Sequence, residues 1–159
     1  MLPQTSVRSV DRFFAAYSDD HRHPTNQALH VVCVPAIVWS LLALMYCIPL
    51  GAGTPTGLLA AVLAIASVAF WLWLSVPLGL GAAALMSLSW VSVAALHGSV
   101  GTMTLALIGA AVFAAAWIGQ FIGHHIEGRR PSFFTDLVYL MIGPIWVLSK
   151  GYRKLSVGY

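Results

Sequence analysis

Four stretches, at about 29–50, 56–74, 77–96 and 102–123, carry almost no polar side chains, and each has near the ~20 residues a helix needs to cross a bilayer. Glycine and proline punctuate the gaps: Gly51 to Pro55, Ser75 to Pro77, and His97 to Gly101. Ahead of them, residues 7–17 place Val10, Phe13, Phe14 and Tyr17 at helical spacing opposite Arg8 and Asp11, the pattern of an amphipathic helix lying on a membrane surface. Behind them a fifth apolar stretch, 133–148, is interrupted by Gly143-Pro144. The expected architecture is an all-α integral membrane helical bundle in one domain, residues 1–159. It has four transmembrane helices, an N-terminal amphipathic helix and a C-terminal re-entrant or interfacial helix pair.

Composition agrees with a bilayer setting: 59% of residues are hydrophobic and 8% charged, against the roughly 25% charged content of soluble domains. All eight Lys and Arg lie outside the four spans, with Arg8, Arg12 and Arg22 before the first and Arg129, Arg130, Lys150, Arg153 and Lys154 after the fourth. By the positive-inside rule both ends are cytoplasmic, which argues against a fifth crossing. The net charge of +3 is split between the two ends and forms no basic, aromatic-interleaved face, so nucleic acid is excluded as a partner. The first twenty residues lack the apolar core of a cleavable signal peptide. Cys33 and Cys47 lie inside an apolar run without C-x-x-C spacing and serve as small hydrophobes. Small residues are dense on the third and fourth spans, among them Gly79, Gly81, Gly109 and Gly119, and they allow helix backbones close approach in lipid.

Two polar clusters, 21–30 and 120–131, hold five of the six histidines. Imidazole is the commonest metal ligand, and polar groups at membrane depth are costly enough to mark a ligand, a pathway or a reaction. The topology sets His30, near the start of the first span, at the same depth as His124, at the end of the fourth. Asn26 lies one turn before His30 and His23 seven positions before it, on one face if the helix starts near Pro24, a good first-turn residue, and His21 can fold back over that turn. Gln120, His124 and Glu127 form a polar stripe. Several imidazoles with a carboxylate suit ferrous iron, and zinc competes on ligand type.

Plainer roles compete with these. His23 and His125 fit the headgroup region, and His97 falls at the opposite side. Arg129 and Arg130 fit orientation signals or headgroup contacts. Asp136, beside Phe133, Phe134 and Leu137, needs a partner. A small transporter or proton relay using His and Glu, or a non-catalytic metal-binding scaffold, are the alternatives to an enzyme. Only serines (Ser67, Ser87, Ser89, Ser92) offer polar side chains on the second and third spans, which disfavours transport. Six histidines are too few for the di-iron sites of membrane hydroxylases and desaturases.

Residues 17–35 (YSDDHRHPTNQALHVVCVP) and 120–134 (QFIGHHIEGRRPSFF), with Asp136 and Ile142-Gly143-Pro144, resemble the two motifs of the 2-hydroxy fatty acid dioxygenase family. That family comprises fungal enzymes of the endoplasmic reticulum membrane and their bacterial relatives. The first motif is a Tyr followed by H-x-x-P-x-N-x-x-x-H and a V-P pair. In the second, the chain has the bacterial-type H-x-x-E spacing, where fungal members insert one residue. The resemblance implies His21, His30 and His124 as ligands of Fe2+, with Asn26, Glu127 and Asp136 as supporting polar groups. His23 and His125 stand where the family commonly has other residues. It also implies an α-oxidation in which iron and dioxygen convert a 2-hydroxy fatty acid to an acid one carbon shorter. The carboxylate would be drawn by Arg22, Arg129 or Arg130. The expected location is a bacterial inner membrane, with the N-terminus and both histidine clusters cytoplasmic.

Overall fold

A computed structural model describes residues 8–130 and 138–159, and contains five helices among them. These are α1 (Ser9–Asp19), α2 (Pro24–Tyr46), α3 (Leu58–Leu74), α4 (Val76–Glu127) and α5 (Val138–Lys154). Asp136 lies outside the described residues. Two helices, α2 and α4, are long and apolar enough to cross a membrane, and α3 is a shorter apolar helix.

The first span starts and ends earlier than the expected 29–50. Pro24 suits the first helical turn, where its missing N–H costs nothing, and His23 caps it by accepting the Thr25 N–H on Nδ1 at 3.2 Å. Pro49 disfavours helical backbone at Ile48, so the helix stops at Tyr46. His30 consequently lies two turns inside α2 and not at its edge. α3 starts after Gly57, whose φ of +81° leaves a Cβ no room beside the Tyr46 ring.

Drawn straight, the 52 residues of α4 would extend about 78 Å, well past a bilayer of about 45 Å. Gly101, at φ +78° and ψ 172°, breaks the helix. The expected turn at 97–101 therefore narrows to one residue, with helix continuing through 100. Limb 76–100 runs parallel to α2, with Trp39 bonded to Ser92 at 2.8 Å. Limb 101–127 runs antiparallel to it, since a Cβ on Gly109 would touch Ala43, on Gly119 Cys33 and on Gly123 Asn26. The reversal returns His124 to the end of the bundle where α2 begins.

The expected C-terminal helix pair is also corrected. In the described residues Gly143-Pro144 does not divide the segment, and α5 runs through it as one helix. Pro144 removes one hydrogen-bond donor, to Leu140, and the rest of the ladder continues. Gly143 is needed for a different reason, because a Cβ there would lie 3.0 Å from the Tyr17 hydroxyl. α1 and α5 pack together over the end holding both histidine clusters, in a core of Val10, Phe14, Tyr17, Trp71, Leu78, Ile142, Ile145 and Trp146. The apolar face expected of residues 7–17 is thus buried against α5.

Gly123 is the tightest of these approaches that bears on the site. Gly123→Ala should cost about 1–3 kcal/mol of stability by pushing α2 away, whereas Gly98→Ala, with nothing within 4 Å, should cost none. Thermal unfolding of the two variants in detergent checks the contrast.

Candidate metal centre

His21 lies in the α1–α2 loop, His30 on α2 and His124 on the second limb of α4, and all three are buried, at 1%, 2% and 4% exposure. Each offers a ligand nitrogen, and the three nitrogens lie within 4.8 Å of one another; among the described residues they form the group able to hold a metal ion. Their ring centroids are 4.3, 4.9 and 5.1 Å apart, and each pair of rings is close to perpendicular, at 78°, 73° and 80°. Three imidazoles so arranged can occupy one face of a coordination shell and leave the opposite face open.

Hydrogen bonds fix which nitrogens face inward. His21 donates its Nδ1–H to the Tyr17 carbonyl, and His30 donates its Nδ1–H to the Asn26 carbonyl at 2.9 Å. A carbonyl only accepts, so in the neutral rings the lone pairs are on Nε2. These two Nε2 atoms face each other at 3.0 Å. Two lone pairs at that distance repel unless a cation lies between or beside them. Burial pushes the His21 pKa below the ordinary histidine value, which favours the neutral, ligating form. His124 Nδ1 is buried with no hydrogen-bond partner, and so is Gln120 Nε2 one turn earlier. A buried nitrogen without a partner, on a ring 4.9 and 5.1 Å from those of His21 and His30, fits a bound divalent metal.

The supporting groups are arranged around the His21 loop. The Glu127 carboxylate accepts the backbone N–H of Arg22 at 2.9 Å, that of His23 at 2.7 Å and the Asn26 side-chain amide at 3.1 Å. It closes the loop onto the end of α4 and is not among the ligand atoms. Asn26 joins that clamp to His30 through its own carbonyl. The Tyr17 ring stacks on His21, with centroids 4.1 Å apart and planes within 7°, and Trp146 packs beside both rings, 5.4 Å from His21 and 5.0 Å from Tyr17.

From the histidines an apolar cavity of about 290 Å³ extends along α2, lined by Val34, Ile37, Leu41 and Met45, with Gln120 lining it beside the histidines. The sixteen residues from His30 to Met45 span about 22 Å of helix. A long unbranched chain fits that shape.

Other nominated residues are placed elsewhere. Arg22 pairs with Asp19 at 2.8 Å and Arg129 with Asp20 at 2.9 Å, both partly exposed; Arg130 is exposed, and none of the three lines the cavity. His23 caps α2 and His125 is exposed. His97 lies at the far end, with Nε2 at 2.9 Å from the Thr102 hydroxyl. The sequence pattern did not single out Lys150, which donates to Gln27 Oε1 at 2.6 Å and lies 4.0 Å over the Trp146 ring. Its one signal is the i, i+4 spacing from Trp146.

Residues 7–155 match the family described as 2-hydroxy-palmitic acid dioxygenase Mpo1-like. The chain is also similar to the 2-hydroxy-palmitic acid dioxygenase MPO1 of Saccharomyces cerevisiae, at 29% identity over 152 residues, covering 94% of this chain and 82% of the yeast protein. No solved structure matches it.

Proposed function

The chain belongs to the Mpo1-like dioxygenase family, and from that premise we propose that this enzyme shortens a long-chain 2-hydroxy fatty acid by one carbon, using ferrous iron and dioxygen. The observation that carries the proposal is a three-nitrogen site with an open face at the polar end of a long apolar cavity. Nitrogen ligands alone also suit zinc. A cavity that takes an acyl chain beside the metal favours the oxidative reading over a structural ion.

The balance of the reaction needs no external reductant. The bond between C1 and C2 breaks, C2 passes from alcohol to carboxylic acid, and C1 leaves as carbon dioxide. Four electrons are removed from the two carbons, and the same four reduce dioxygen, with one water released. His21, His30 and His124 would hold the iron, which when bound would supply the activation of oxygen. The protein's own groups do the positioning. Gln120 turns its unsatisfied Nε2–H toward the polar head of the substrate, where a buried donor gains a partner. The α2 side of the cavity takes the tail. Tyr17 and Trp146 wall the imidazoles from water, and Glu127 with Asn26 holds the His21 loop. Asp136, in the second motif, is assigned a supporting polar role. Arg22, Arg129 and Arg130, the first two held in ion pairs with Asp19 and Asp20, are assigned the role of drawing carboxylates to this face.

The same proposal includes the setting: four crossings, α2, α3 and the two limbs of α4, in a bacterial inner membrane, with both histidine clusters cytoplasmic. The seventeen residues of α5 span only about 26 Å, and the helix is packed over the cytoplasmic end with α1.

Detergent-purified protein given ferrous iron, a long-chain 2-hydroxy fatty acid and isotope-labelled dioxygen should release the acid one carbon shorter, carrying label. The unhydroxylated acid should remain unchanged, because its C2 is not at the alcohol level that the four-electron balance with dioxygen requires. His97→Ala should stay active, since that residue is at the far end. A folded, iron-loaded preparation that yields no labelled shorter acid overturns the proposal.

A further inference from the structure

A second cavity, of about 510 Å³, lies back to back with the first, between α2, the limb 76–100 and α5. Val34, Val38, Trp71, Met86 and Pro144 line both, so one layer of side chains separates them. Met86 is part of that layer, and its unbranched, flexible side chain can rearrange at low cost.

The second cavity is a groove open to the side of the bundle. Val31, Leu85 and Leu88 line it and are 45%, 52% and 67% exposed. Its walls are apolar apart from Ser89, whose hydroxyl donates to the Leu85 carbonyl, and one end, where Lys150 and Lys154 contribute two cations. Those charges face no described carboxylate: Asp11 is taken by Arg8, Asp19 by Arg22, Asp20 by Arg129, and Glu127 by the His21 loop. Lys150 reaches only the neutral Gln27 amide and the Trp146 face. The groove thus has one acyl-sized apolar channel and a positive head, complementary to an anionic amphiphile with a single chain.

We propose that this groove is a lateral docking site for a free fatty acid arriving from the bilayer, with its carboxylate on Lys150 and its chain between α2 and the limb 76–100. The choice of fatty acid as occupant rests on the proposed function. The five shared wall residues place a docked chain next to the cavity that leads to the histidines, and movement of Met86 would join the two spaces. A glycerophospholipid has two chains, and the groove is flanked by only one pair of membrane helices.

The test uses full-length, metal-free protein in nanodiscs of phosphatidylcholine and a saturated, unhydroxylated fatty acid bearing a mid-chain diazirine. Illumination followed by peptide mass spectrometry should locate adducts on groove residues outside the first cavity, such as Val31, Leu85, Leu88 and Ser89. Lys150→Gln should lower labelling about tenfold, the value of one charge-assisted hydrogen bond, and Lys150→Arg should restore it. Leu88→Trp, a lipid-facing change that fills the groove without touching the Lys150 to Gln27 bond, should also lower it. Equal labelling in Lys150→Gln and the unaltered protein overturns the proposal, as does competition by phosphatidylglycerol as effective as that by unlabelled fatty acid. The probe needs neither iron nor turnover, so failure of the dioxygenase assay and failure of groove labelling are separate results.

Discussion

Each of His21→Ala, His30→Ala and His124→Ala should lower divalent metal affinity more than about a hundredfold, beyond the loss typical of residues that only support a ligand. The unaltered chain should bind about one iron. The three ligands come from a loop and two helices, so no single element can hold the ion once one is gone. The effect should also appear as stability, because a ligand bound only to the folded state adds about 2.7 kcal/mol at a hundredfold excess over Kd. Ferrous iron should therefore raise the unfolding temperature of the unaltered protein and leave that of the three variants unmoved. His21 and His30 carry a further signature. Without metal their Nε2 lone pairs oppose one another at 3.0 Å, so removing either ring relieves a repulsion that offsets part of the lost packing. Elemental analysis and unfolding with and without iron check both statements. Full iron occupancy in any of the three variants would remove that residue from the ligand set, and stoichiometric zinc with no iron-dependent activity would turn the assignment away from oxygen chemistry.

Glu127→Ala should weaken metal binding about 10- to 100-fold, the range for groups that orient a ligand without touching the ion. Its carboxylate receives two backbone N–H groups and one amide from the stretch between His21 and His30, and alanine releases all three. Glu127→Gln should fall between, since an amide oxygen can still accept but the adjoining NH2 opposes a backbone donor. The loss of turnover in both should track metal content, and excess iron should restore it. A proton-transfer role predicts the reverse: Glu127→Gln would keep its iron and lose turnover. Titrating iron into each variant while following turnover separates the two.

The sequence determined the membrane-compatible, all-helical character, the amphipathic nature of residues 7–17, and the two polar clusters. Those properties follow from runs and periods of adjacent residues, and a run of some twenty apolar residues has few physical alternatives to a helix in lipid. The motif resemblance also named His21, His30 and His124, which the fold brings together. Span ends were only partly legible: Pro24 marked a helix start that the apolar run from 29 does not show, Pro49 set the other end of α2 through local backbone sterics that hydropathy does not register, and Pro144 did not break α5 because a helix survives the loss of one donor. Only the tertiary structure decided which polar groups do what. Glu127 is taken up by backbone N–H groups of a loop about a hundred residues earlier in the chain, and Arg22 and Arg129 by surface aspartates. Lys150, unremarkable in a basic C-terminal segment, is carried to Gln27 and to the head of a groove between helices. Hydrophobic burial is written along the chain in its pattern, whereas a hydrogen bond or a coordination site depends on atoms meeting within a few tenths of an ångström, and that distance exists only after the helices have packed.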